Sequence, residues 1–365
     1  MNFGFKLPIN SVFKSENPIL KDNNCLFTFK KNKIIEYRFK EKQKEYSIPI
    51  KNFIFKILYQ VALVRRVLRL NVESMVVTNN KDLVVVARGA ILFCRHGTTM
   101  FKEVHKIKRG SRPLNIYKHT NGNIYWGEYF DNKKREQVYI FGSKNGEKWR
   151  VKYIFPKKSI RHIHGIYGDQ FRKGIWVLTG DLNDECGLWF TTDEFRTLKC
   201  VVGGTQKARA VSIIPLKEKL IVPMDTPTEK NYIQEYDFIK KKFNNLKELP
   251  GSAFHTYSSK NLYLVSTVVE PSVINNKKYL EIYSSVDCEN WFSIGVLKQD
   301  FLSSLSYKFF RYPEVLFVND ESENSKEVFF YCRGIRKYNN RMLSISKKVI
   351  EDFIKVKMKS IEKFN

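Results

Sequence analysis

Apolar and polar positions alternate in short bursts along most of the chain. After residue 72, short runs of Val, Ile, Tyr, Phe and Trp recur, and each run follows a turn rich in Asn, Gly, Asp and Lys. Such runs are typical of short β-strands joined by tight turns. Residues 25–50 show the same character. The pattern therefore predicts an all-β protein.

One stretch near the N-terminus breaks this pattern. Residues 52–70 contain neither Gly nor Pro and predict one helix inserted among the strands. The uncharged run from Ile57 to Val64 is far shorter than the about 20 residues of a membrane span. We expect the helix to pack on the outside of the β-body. The alternative is an interfacial helix whose Arg65, Arg66 and Arg69 meet anionic lipid head groups.

A repeat runs through the β-rich part of the chain. The segment from Ser143 to Trp149 is a Ser-x-Asn turn that ends on an aromatic residue. The segment from Ser285 to Trp291 repeats it with the same spacing, and Thr191 begins a weaker copy. Repeats of about 40–50 residues with four strands each are typical of β-propellers, because a four-stranded blade buries its faces only by stacking on its neighbours.

We expect a β-propeller of six or seven four-stranded blades, with seven preferred. Six blades are predicted at 74–106, 113–154, 162–203, 208–247, 252–297 and 305–346, and residues 25–50 form the seventh or a closing strand. The predicted domain organisation is an irregular segment at 1–24, a single propeller at 25–350 that includes the helix at 52–70, and a tail or closing strand at 351–365.

Charge, cysteine spacing and the N-terminal sequence predict where the protein is located and which partners it has. The formal charge of +27 comes from 64 Lys and Arg against 37 Asp and Glu, and the basic residues are spread along the whole chain. This spread favours a solvated basic surface over a nucleic-acid site. The six cysteines show no zinc or CxxC spacing, and the N-terminus lacks a secretion signal. We expect a cytoplasmic monomer, peripheral at the inner membrane face if the helix is interfacial.

The repeated turns resemble the Asp-box, or BNR repeat, of sialidase-like propellers. The usual box reads Ser-x-Asp-x-Gly-x-x-Trp, whereas both good copies here are one residue shorter and lack the Gly at the family position. The chain is also similar to uncharacterised BNR-like proteins of bacterial polysaccharide gene clusters. The resemblance implies a propeller fold and, less specifically, a carbohydrate-related role.

A second segment extends the resemblance to sialidases. Arg112, Glu128 and the turn at Ser143 follow one another in the order seen at the start of that family. The resemblance implies that Arg112 is the first of three arginines that hold the carboxylate of the substrate, with Arg209 and Arg311 as the other two.

The catalytic residues of sialidases are matched less well. The acid/base Asp and the Tyr/Glu nucleophile pair have no clear counterpart in this chain. Tyr307 or Tyr312 together with Glu314 is the nearest suggestion.

His162 and His164 stand two apart at the start of a predicted strand. On a regular strand their rings would share one face, about 7 Å apart. With Asp181 or Glu185 they suit a divalent metal. One histidine also suits a general base near neutral pH, and the pair suits a purely structural hydrogen bond. The metal is the less favoured of these roles, so no metal or cofactor is predicted.

Asp181 and Asp225 each follow an apolar strand, at nearly equivalent positions of adjacent blades. Paired carboxylates suit glycosidic-bond cleavage, and they equally suit turn capping. Glu128 is a third candidate of the same kind. The predicted catalytic residues are His162, His164, Glu128, Asp181 and Asp225. The predicted substrate-binding residues are Arg112, Arg209, Arg311, Glu185 and His255.

These expectations favour a carbohydrate-active propeller, namely a sialidase-like glycoside hydrolase or lyase acting on an acidic oligosaccharide or polysaccharide. The alternative is a non-catalytic propeller that binds glycan or protein, with contact to a membrane surface through residues 52–70. Whether the protein is an enzyme stays open at this point. The degenerate boxes favour binding, and the polar residues that recur at strand ends favour catalysis.

Overall fold

The computed structural model is a seven-bladed β-propeller of antiparallel sheets with few helices, as predicted. It describes residues 3–14, 16–38, 41–50, 52–72, 74–320 and 325–362. Its seven sheets have four or five strands each. The chain divides into two compact units: unit I is residues 24–210, and unit II is residues 1–23 with 211–365.

Unit I contains blades 1 to 4 in chain order, and consecutive strands of each blade pair antiparallel. The strands of blade 1 in this unit are Cys25–Lys30, Lys33–Arg38 and Glu41–Ser47. Those of blade 2 are Ser74–Val77, Leu83–Ala87, Ala90–Cys94 and Lys102–Lys106. Those of blade 3 are Tyr117–Lys118, Ile124–Gly127, Val138–Ser143 and Arg150–Phe155. Those of blade 4 are His162–Asp169, Gly174–Gly180, Gly187–Thr191 and Lys199–Gly203. Short 3-10 turns cover Asn183–Glu185 and Gln206–Ala208.

Burial explains the apolar runs of the sequence. The middle strands of a blade are covered on both faces, and Leu83–Ala87 and Gly174–Gly180 are buried along their whole length. The last strand of a blade is largely exposed, as in Lys199–Gly203. Buried side chains such as Ile140 and Ile166 join neighbouring blades of unit I into one hydrophobic cluster. The period of the sequence therefore reports the stacking of blades.

Unit II contains blades 5 to 7. Blade 5 has the strands Ile214–Pro215, Lys219–Pro223, Asn231–Asp237 and Lys242–Leu249. Blade 6 has Ala253–Ser259, Leu262–Thr267, Tyr279–Ser285, Phe292–Lys298 and Gly4–Phe5. Blade 7 has Glu314–Phe317, Glu327–Arg333, Arg341–Ser346 and Asn10–Lys14. Asn17–Asp22 pairs in parallel with Asn319–Asp320. The helices of this unit are Phe301–Leu305, Tyr307–Phe310 and Lys347–Glu362.

The predicted irregular segment at 1–24 is wrong for the residues that the structure describes there, which exclude 1, 2 and 15. Gly4 pairs with Val296 in blade 6, and Asn10 pairs with Ser344 in blade 7. Both N-terminal strands lie at the outer edge of their sheets, where polar residues are tolerated. Their partners come from the far end of the chain, so the local pattern of apolar residues could not reveal them.

The single helix predicted at 52–70 is instead two short helices, Phe53–Leu58 and Ala62–Val67. Asn52 caps the first helix, because its side chain accepts a hydrogen bond from the Ile54 N–H at 2.8 Å. Val61 has an extended backbone conformation, which separates the two helices. No helix in the described ranges is long and apolar enough to cross a membrane.

The expected side-chain directions of this segment also need correction. The apolar side chains of Phe53, Ile54 and Ile57 are 72%, 63% and 55% exposed, so the first helix does not pack its apolar face on the β-body. Arg65 and Arg66 are buried, and an Arg65 guanidinium N–H donates to the Tyr59 carbonyl. These two arginines therefore do not meet lipid head groups, which was part of the interfacial alternative.

The predicted tail or closing strand at 351–365 is also wrong. The helix Lys347–Glu362 covers the described part of it, and residues 363–365 lie outside the described residues. Ile350 and Ile354 of this helix are fully buried in the hydrophobic cluster of blades 6 and 7. The spacing of four residues puts both on one helix face.

Candidate functional site

The two histidines singled out by sequence lie at the start of blade 4, where the first strand contains a β-bulge. The pairing register passes directly from Ile163 to Gly165, so that His164 is the extra residue. A bulge bends a strand and re-aims a side chain. The imidazoles of His162 and His164 consequently converge, with their Nε2 atoms 3.1 Å apart.

Asp181 completes this arrangement from the end of the neighbouring strand. Its Oδ1 lies 3.2 Å from the His164 Nε2 and 3.4 Å from the His162 Nε2. Gly180, immediately before it, leaves the space that the His164 ring occupies, since a Cβ on this glycine would come within 2.6 Å of the His164 Cε1. We call His162, His164, Asp181, Arg161 and Arg209 the His–Asp cluster.

The hydrogen bonds of the two Nδ1 atoms determine whether the Nε2 atoms donate or accept. The Nδ1 of His162 is 3.0 Å from the Phe130 carbonyl oxygen, and the Nδ1 of His164 is 3.1 Å from the Ala210 carbonyl oxygen. A carbonyl oxygen only accepts, so both Nδ1 atoms donate. In a neutral imidazole the Nε2 atom is then an acceptor. Two Nε2 lone pairs and a carboxylate oxygen therefore face one another.

Two arginines hold the carboxylate of Asp181. The Arg161 Nη1 donates to Oδ2 at 2.8 Å, and the Arg209 Nη2 lies 3.2 Å from Oδ1. Arg161 also pairs with Asp131. Burial raises the pKa of Asp181, and hydrogen bonds from the two histidines, which form only when an Nε2 carries a proton, lower that pKa well below the usual range. Burial lowers the pKa of the His164 imidazole. The two arginines favour the ionised form of the carboxylate, and burial favours the neutral form of His164.

The cluster is buried on one side and accessible on the other. The side chains of His162 and His164 are 6% and 2% exposed, whereas those of Asp181 and Arg161 are 18% and 28% exposed. The Tyr129 ring lies against the His162 imidazole, with the ring centroids 4.3 Å apart. A small ligand would therefore meet the cluster at Asp181 and Arg161.

Two predicted carboxylates of unit I are held by other arginines. Glu128 accepts hydrogen bonds from Arg109 and from the Tyr139 N–H, and burial raises its pKa against the effect of Arg109. Glu185 forms an ion pair with Arg135. The oxygens of both residues are engaged in these contacts.

Arg112, the first of the three arginines suggested by the sialidase resemblance, lies half-buried in the segment that precedes blade 3. Of those three, the structure brings Arg209 to the His–Asp cluster. Arg311 belongs to unit II, where it is buried. The triad of arginines therefore stays a prediction.

Unit II contains a second group of histidine, carboxylate and arginine, which we call the His255–Glu314 cluster. The His255 Nε2 lies 2.8 Å from one Glu314 oxygen, and the Arg333 Nη1 lies 2.5 Å from the other. Burial raises the pKa of Glu314, but Arg333, His255 and Arg311 outweigh it and hold that pKa well below the usual range. Asp225, also in this unit, is buried after the strand Lys219–Pro223.

The suggested tyrosine and glutamate pair also lies in unit II. The Tyr307 hydroxyl donates to the Gln299 side chain at 2.8 Å, and its ring centroid is 5.6 Å from that of Tyr312. Glu314 is engaged by His255 and Arg333 instead.

Sequence reasoning missed Arg161 of the His–Asp cluster and Tyr129, whose ring lies against that cluster. Arg161 directly precedes His162, and this adjacency was the available signal. Tyr129 directly follows Glu128 at the end of a strand, where candidates were sought among carboxylates alone.

The repeated turns at Ser143 and Ser285 stabilise hairpins. The side-chain oxygen of Asn145 accepts hydrogen bonds from two backbone N–H groups, and that of Asp287 does the same in unit II.

No protein-family model matches the chain, and no curated protein matches it. Similar solved structures include an ancestral GH74 enzyme, with a TM-score of 0.55, 10% identity and coverage of 93% of this chain and 46% of that one. The extracellular domain of a one-component system from B. thetaiotaomicron has a TM-score of 0.55 and 11% identity, covering 94% and 41%. An oligogalacturonate lyase in complex with manganese has a TM-score of 0.59 and 8% identity, covering 94% and 95%.

The chain spans less than half the length of the first two of these proteins. At such low identities the likeness concerns the arrangement of the backbone. The comparisons therefore show that the chain has the β-propeller fold, which several carbohydrate-related proteins share.

Proposed function

We propose that this chain is a carbohydrate-active propeller that cleaves an acidic glycan at the His–Asp cluster. The observation that carries the proposal is the convergence of two buried imidazoles on one carboxylate that two arginines flank. Two guanidinium groups, two imidazoles and one carboxylate thus lie in contact in a cluster that is partly exposed to solvent. Such combinations of perturbed titratable groups are typical of functional sites.

The arginines of the cluster suit the carboxylate of a sugar acid. Arg161 is 28% exposed and donates planar N–H groups to Asp181 and Asp131, and Arg209 approaches Asp181 from a second direction. A guanidinium group binds carboxylates with a fixed orientation. The cluster would therefore hold the acidic sugar by its carboxylate and place the carbon next to that group near the imidazoles.

The carboxylates of unit I favour elimination over hydrolysis. Hydrolysis needs one carboxyl group as acid and a second as base or nucleophile. The three candidates in this unit, Glu128, Asp181 and Glu185, are each engaged by an arginine. In elimination, a base removes the proton from the carbon beside the sugar carboxylate, the bond to the leaving sugar oxygen breaks, a carbon–carbon double bond forms, and the leaving oxygen takes up a proton.

The Nε2 atoms of His162 and His164 carry the reaction in this proposal, either as proton acceptors or as ligands of a bound cation. Two of the similar folds support a carbohydrate substrate, since one is a GH74 enzyme and another is an oligogalacturonate lyase. Glu128, Glu185 and the unit II residues Asp225, Arg311 and His255 are left outside the proposed centre.

Product analysis tests this proposal. Wild-type protein is incubated with uronate-containing and sialic-acid-containing oligosaccharides, and both the ultraviolet absorbance of a new double bond and the number of new reducing ends are followed. Elimination gives both signals, and hydrolysis gives reducing ends alone. Arg161→Ala should raise KM more than it lowers kcat. Binding without either signal would make the chain a glycan-recognition propeller. The absence of both binding and cleavage would overturn the proposal.

A second candidate function rests on a separate observation. The helices Phe53–Leu58 and Ala62–Val67 expose Phe53, Ile54 and Ile57 to solvent, together with the basic Lys56 and Arg69 nearby. Apolar side chains rimmed by cations suit the surface of an anionic membrane. We propose that this segment contacts such a surface.

Co-sedimentation with vesicles tests the membrane contact. Vesicles that contain phosphatidylglycerol should bind wild-type protein, and the pair Phe53→Ser and Ile54→Ser should reduce that binding. Ile239→Ser, which removes an even more exposed apolar side chain elsewhere, is the control. Equal binding by all three proteins would contradict this role.

A further inference from the structure

We infer that the His–Asp cluster is a binding site for a divalent transition-metal ion, with the His162 Nε2, the His164 Nε2 and the Asp181 Oδ1 as its three protein ligands. This departs from the expectation, drawn from sequence, that no metal is bound. The inference deepens the proposed function, on which its catalytic meaning rests, although the geometry below concerns the ion alone.

The spacing of the three atoms matches a shared ion. The two Nε2 atoms are 3.1 Å apart, and the Asp181 Oδ1 is 3.2 and 3.4 Å from them. Ligand atoms bonded to one ion at about 2.1 Å lie about 3.0–3.4 Å from each other, for coordination angles between octahedral and tetrahedral. All three separations fall in this interval, so one ion can touch all three atoms.

The direction of the lone pairs favours a cation between the three atoms. Because each Nδ1 donates to a backbone carbonyl, an imidazole that carries a single proton presents a bare Nε2 to its neighbour and to the Asp181 carboxylate. Three acceptors in mutual contact are unfavourable unless a positive charge lies among them. A proton on one Nε2 would supply that charge only by creating an imidazolium in a buried site that already faces Arg161 and Arg209.

The outer contacts of the cluster are those of a metal site. Histidine ligands commonly donate their second N–H to a carbonyl oxygen, and ligating carboxylates are themselves hydrogen-bonded. Here the Phe130 and Ala210 carbonyls hold the imidazoles, and Arg161 occupies the second oxygen of Asp181. The carboxylate oxygen near Arg209 has two lone pairs, so it can accept that hydrogen bond and bind an ion.

The ligand set indicates the class of ion. Two imidazole nitrogens and one carboxylate oxygen suit Mn²⁺, Fe²⁺, Co²⁺ or Zn²⁺ better than Ca²⁺ or Mg²⁺, which prefer oxygen. Three protein ligands leave coordination positions open. Asp181 and Arg161 are the partly exposed members of the cluster, so the carboxylate of an acidic sugar would reach a bound ion from their side, and the ion would make that carboxylate more electron-withdrawing.

The test measures metal binding in the absence of any glycan. Full-length protein is stripped with a chelator and titrated with Mn²⁺ or Zn²⁺ by calorimetry. We expect one equivalent of ion to bind, and we expect Asp181→Asn and His164→Gln each to weaken binding at least about tenfold. His96→Gln, which changes an exposed histidine of unit I, should bind like the wild type. Absence of binding to the wild type, or wild-type affinity in both ligand variants, would overturn the inference.

A measurement on the unaltered protein covers the case in which a ligand variant does not fold. Pulsed electron paramagnetic resonance of bound Mn²⁺ should show coupling to imidazole nitrogen, and bound Mn²⁺ without nitrogen coupling would overturn the inference. Metal binding with nitrogen coupling but no glycan turnover would leave the inference standing and remove the proposed function, so the two failures are distinguishable.

Discussion

Unit I and unit II each contain a cluster of histidine, carboxylate and arginine, yet the two clusters differ in how completely their atoms are paired. In the His255–Glu314 cluster, the imidazole and Arg333 each meet one oxygen of a single carboxylate. In the His–Asp cluster, two Nε2 acceptors and a carboxylate oxygen point at one another. In the His255–Glu314 cluster, both carboxylate oxygens thus have an imidazole or guanidinium partner. In the His–Asp cluster, the three acceptor atoms favour a cation between them.

A one-residue difference in strand register separates the two clusters. The first strand of blade 4 and the first strand of blade 6 both contain a bulge near their start. In blade 4 the extra residue is His164, whereas in blade 6 it is Phe254, and His255 pairs normally opposite Ser266. A bulge re-aims the residue that it contains, so residue composition alone does not tell a reactive cluster from a structural one.

The largest expected effect separates the clusters by activity. His164→Ala should lower kcat for an acidic oligosaccharide by about 100-fold or more, since it removes a group that serves the reaction either as a proton acceptor or as a ligand of the bound ion. His96→Ala serves as the control, because His96 is exposed in a loop. Initial rates of product formation check this prediction. Equal rates for His164→Ala and the wild type would remove the His–Asp cluster from the mechanism.

The next effect separates the clusters by stability. Glu314→Gln should lower the free energy of unfolding by about 3–5 kcal/mol, because it leaves Arg333 buried without its counter-charge. The same variant should bind Mn²⁺ like the wild type. Urea denaturation and calorimetry measure the two quantities. A loss of Mn²⁺ binding in a folded Glu314→Gln protein would contradict the division between the clusters.

Acid should lower the free energy of unfolding by protonating the Glu314 carboxylate. Although burial opposes it, the positive charge of Arg333 depresses the folded-state pKa of Glu314. A depressed folded-state pKa contributes stability above the unfolded-state value of about 4.3, and this contribution is lost as the pH falls below that value. The slope of the unfolding free energy against pH between 5 and 3 should therefore be smaller in Glu314→Gln than in the wild type.

A smaller effect tests the space beside the bulge. Gly180→Ala would place a methyl group 2.6 Å from the His164 Cε1, and the displaced ring should weaken Mn²⁺ binding by about tenfold. Overpacking of this kind costs about 1–3 kcal/mol of stability. Gly204→Ala, where a Cβ meets no atom within 4 Å, should leave the affinity for Mn²⁺ unchanged. An unchanged affinity in Gly180→Ala would show that the ring position does not matter.

The smallest effect concerns the exposed helices of unit I. The pair Phe53→Ser and Ile54→Ser should change the free energy of unfolding by no more than about 0.5 kcal/mol for each residue, because both side chains already lie in solvent. Urea denaturation checks this. A large loss of stability would mean that the two side chains pack within the protein and are not a free surface.

Much of the fold could be predicted because each blade buries its middle strands. The predicted blade at 162–203 begins and ends with the observed strands of blade 4, and the preferred count of seven blades is confirmed. The strands Gly4–Phe5 and Asn10–Lys14 escaped prediction because polar edge strands carry no apolar run and pair with residues near the other end of the chain.

The candidate site was predictable in its residue types but not in its geometry. His162, His164 and Asp181 could be selected because they stand at strand ends. A regular strand would have held the rings about 7 Å apart, and the bulge at His164 brings their Nε2 atoms to 3.1 Å. The arginine partners of Asp181, Glu128 and Glu185 come from other segments, and no local pattern announces such pairs.

The proposed metal ion would be shared by the Nε2 atoms of His162 and His164 and the Oδ1 of Asp181. Anomalous X-ray diffraction from crystals grown with Mn²⁺, recorded on the two sides of the manganese absorption edge, tests it most directly. We expect one strong anomalous peak at about 2.1 Å from all three atoms. A cluster with the same side-chain positions and no anomalous peak would contradict it.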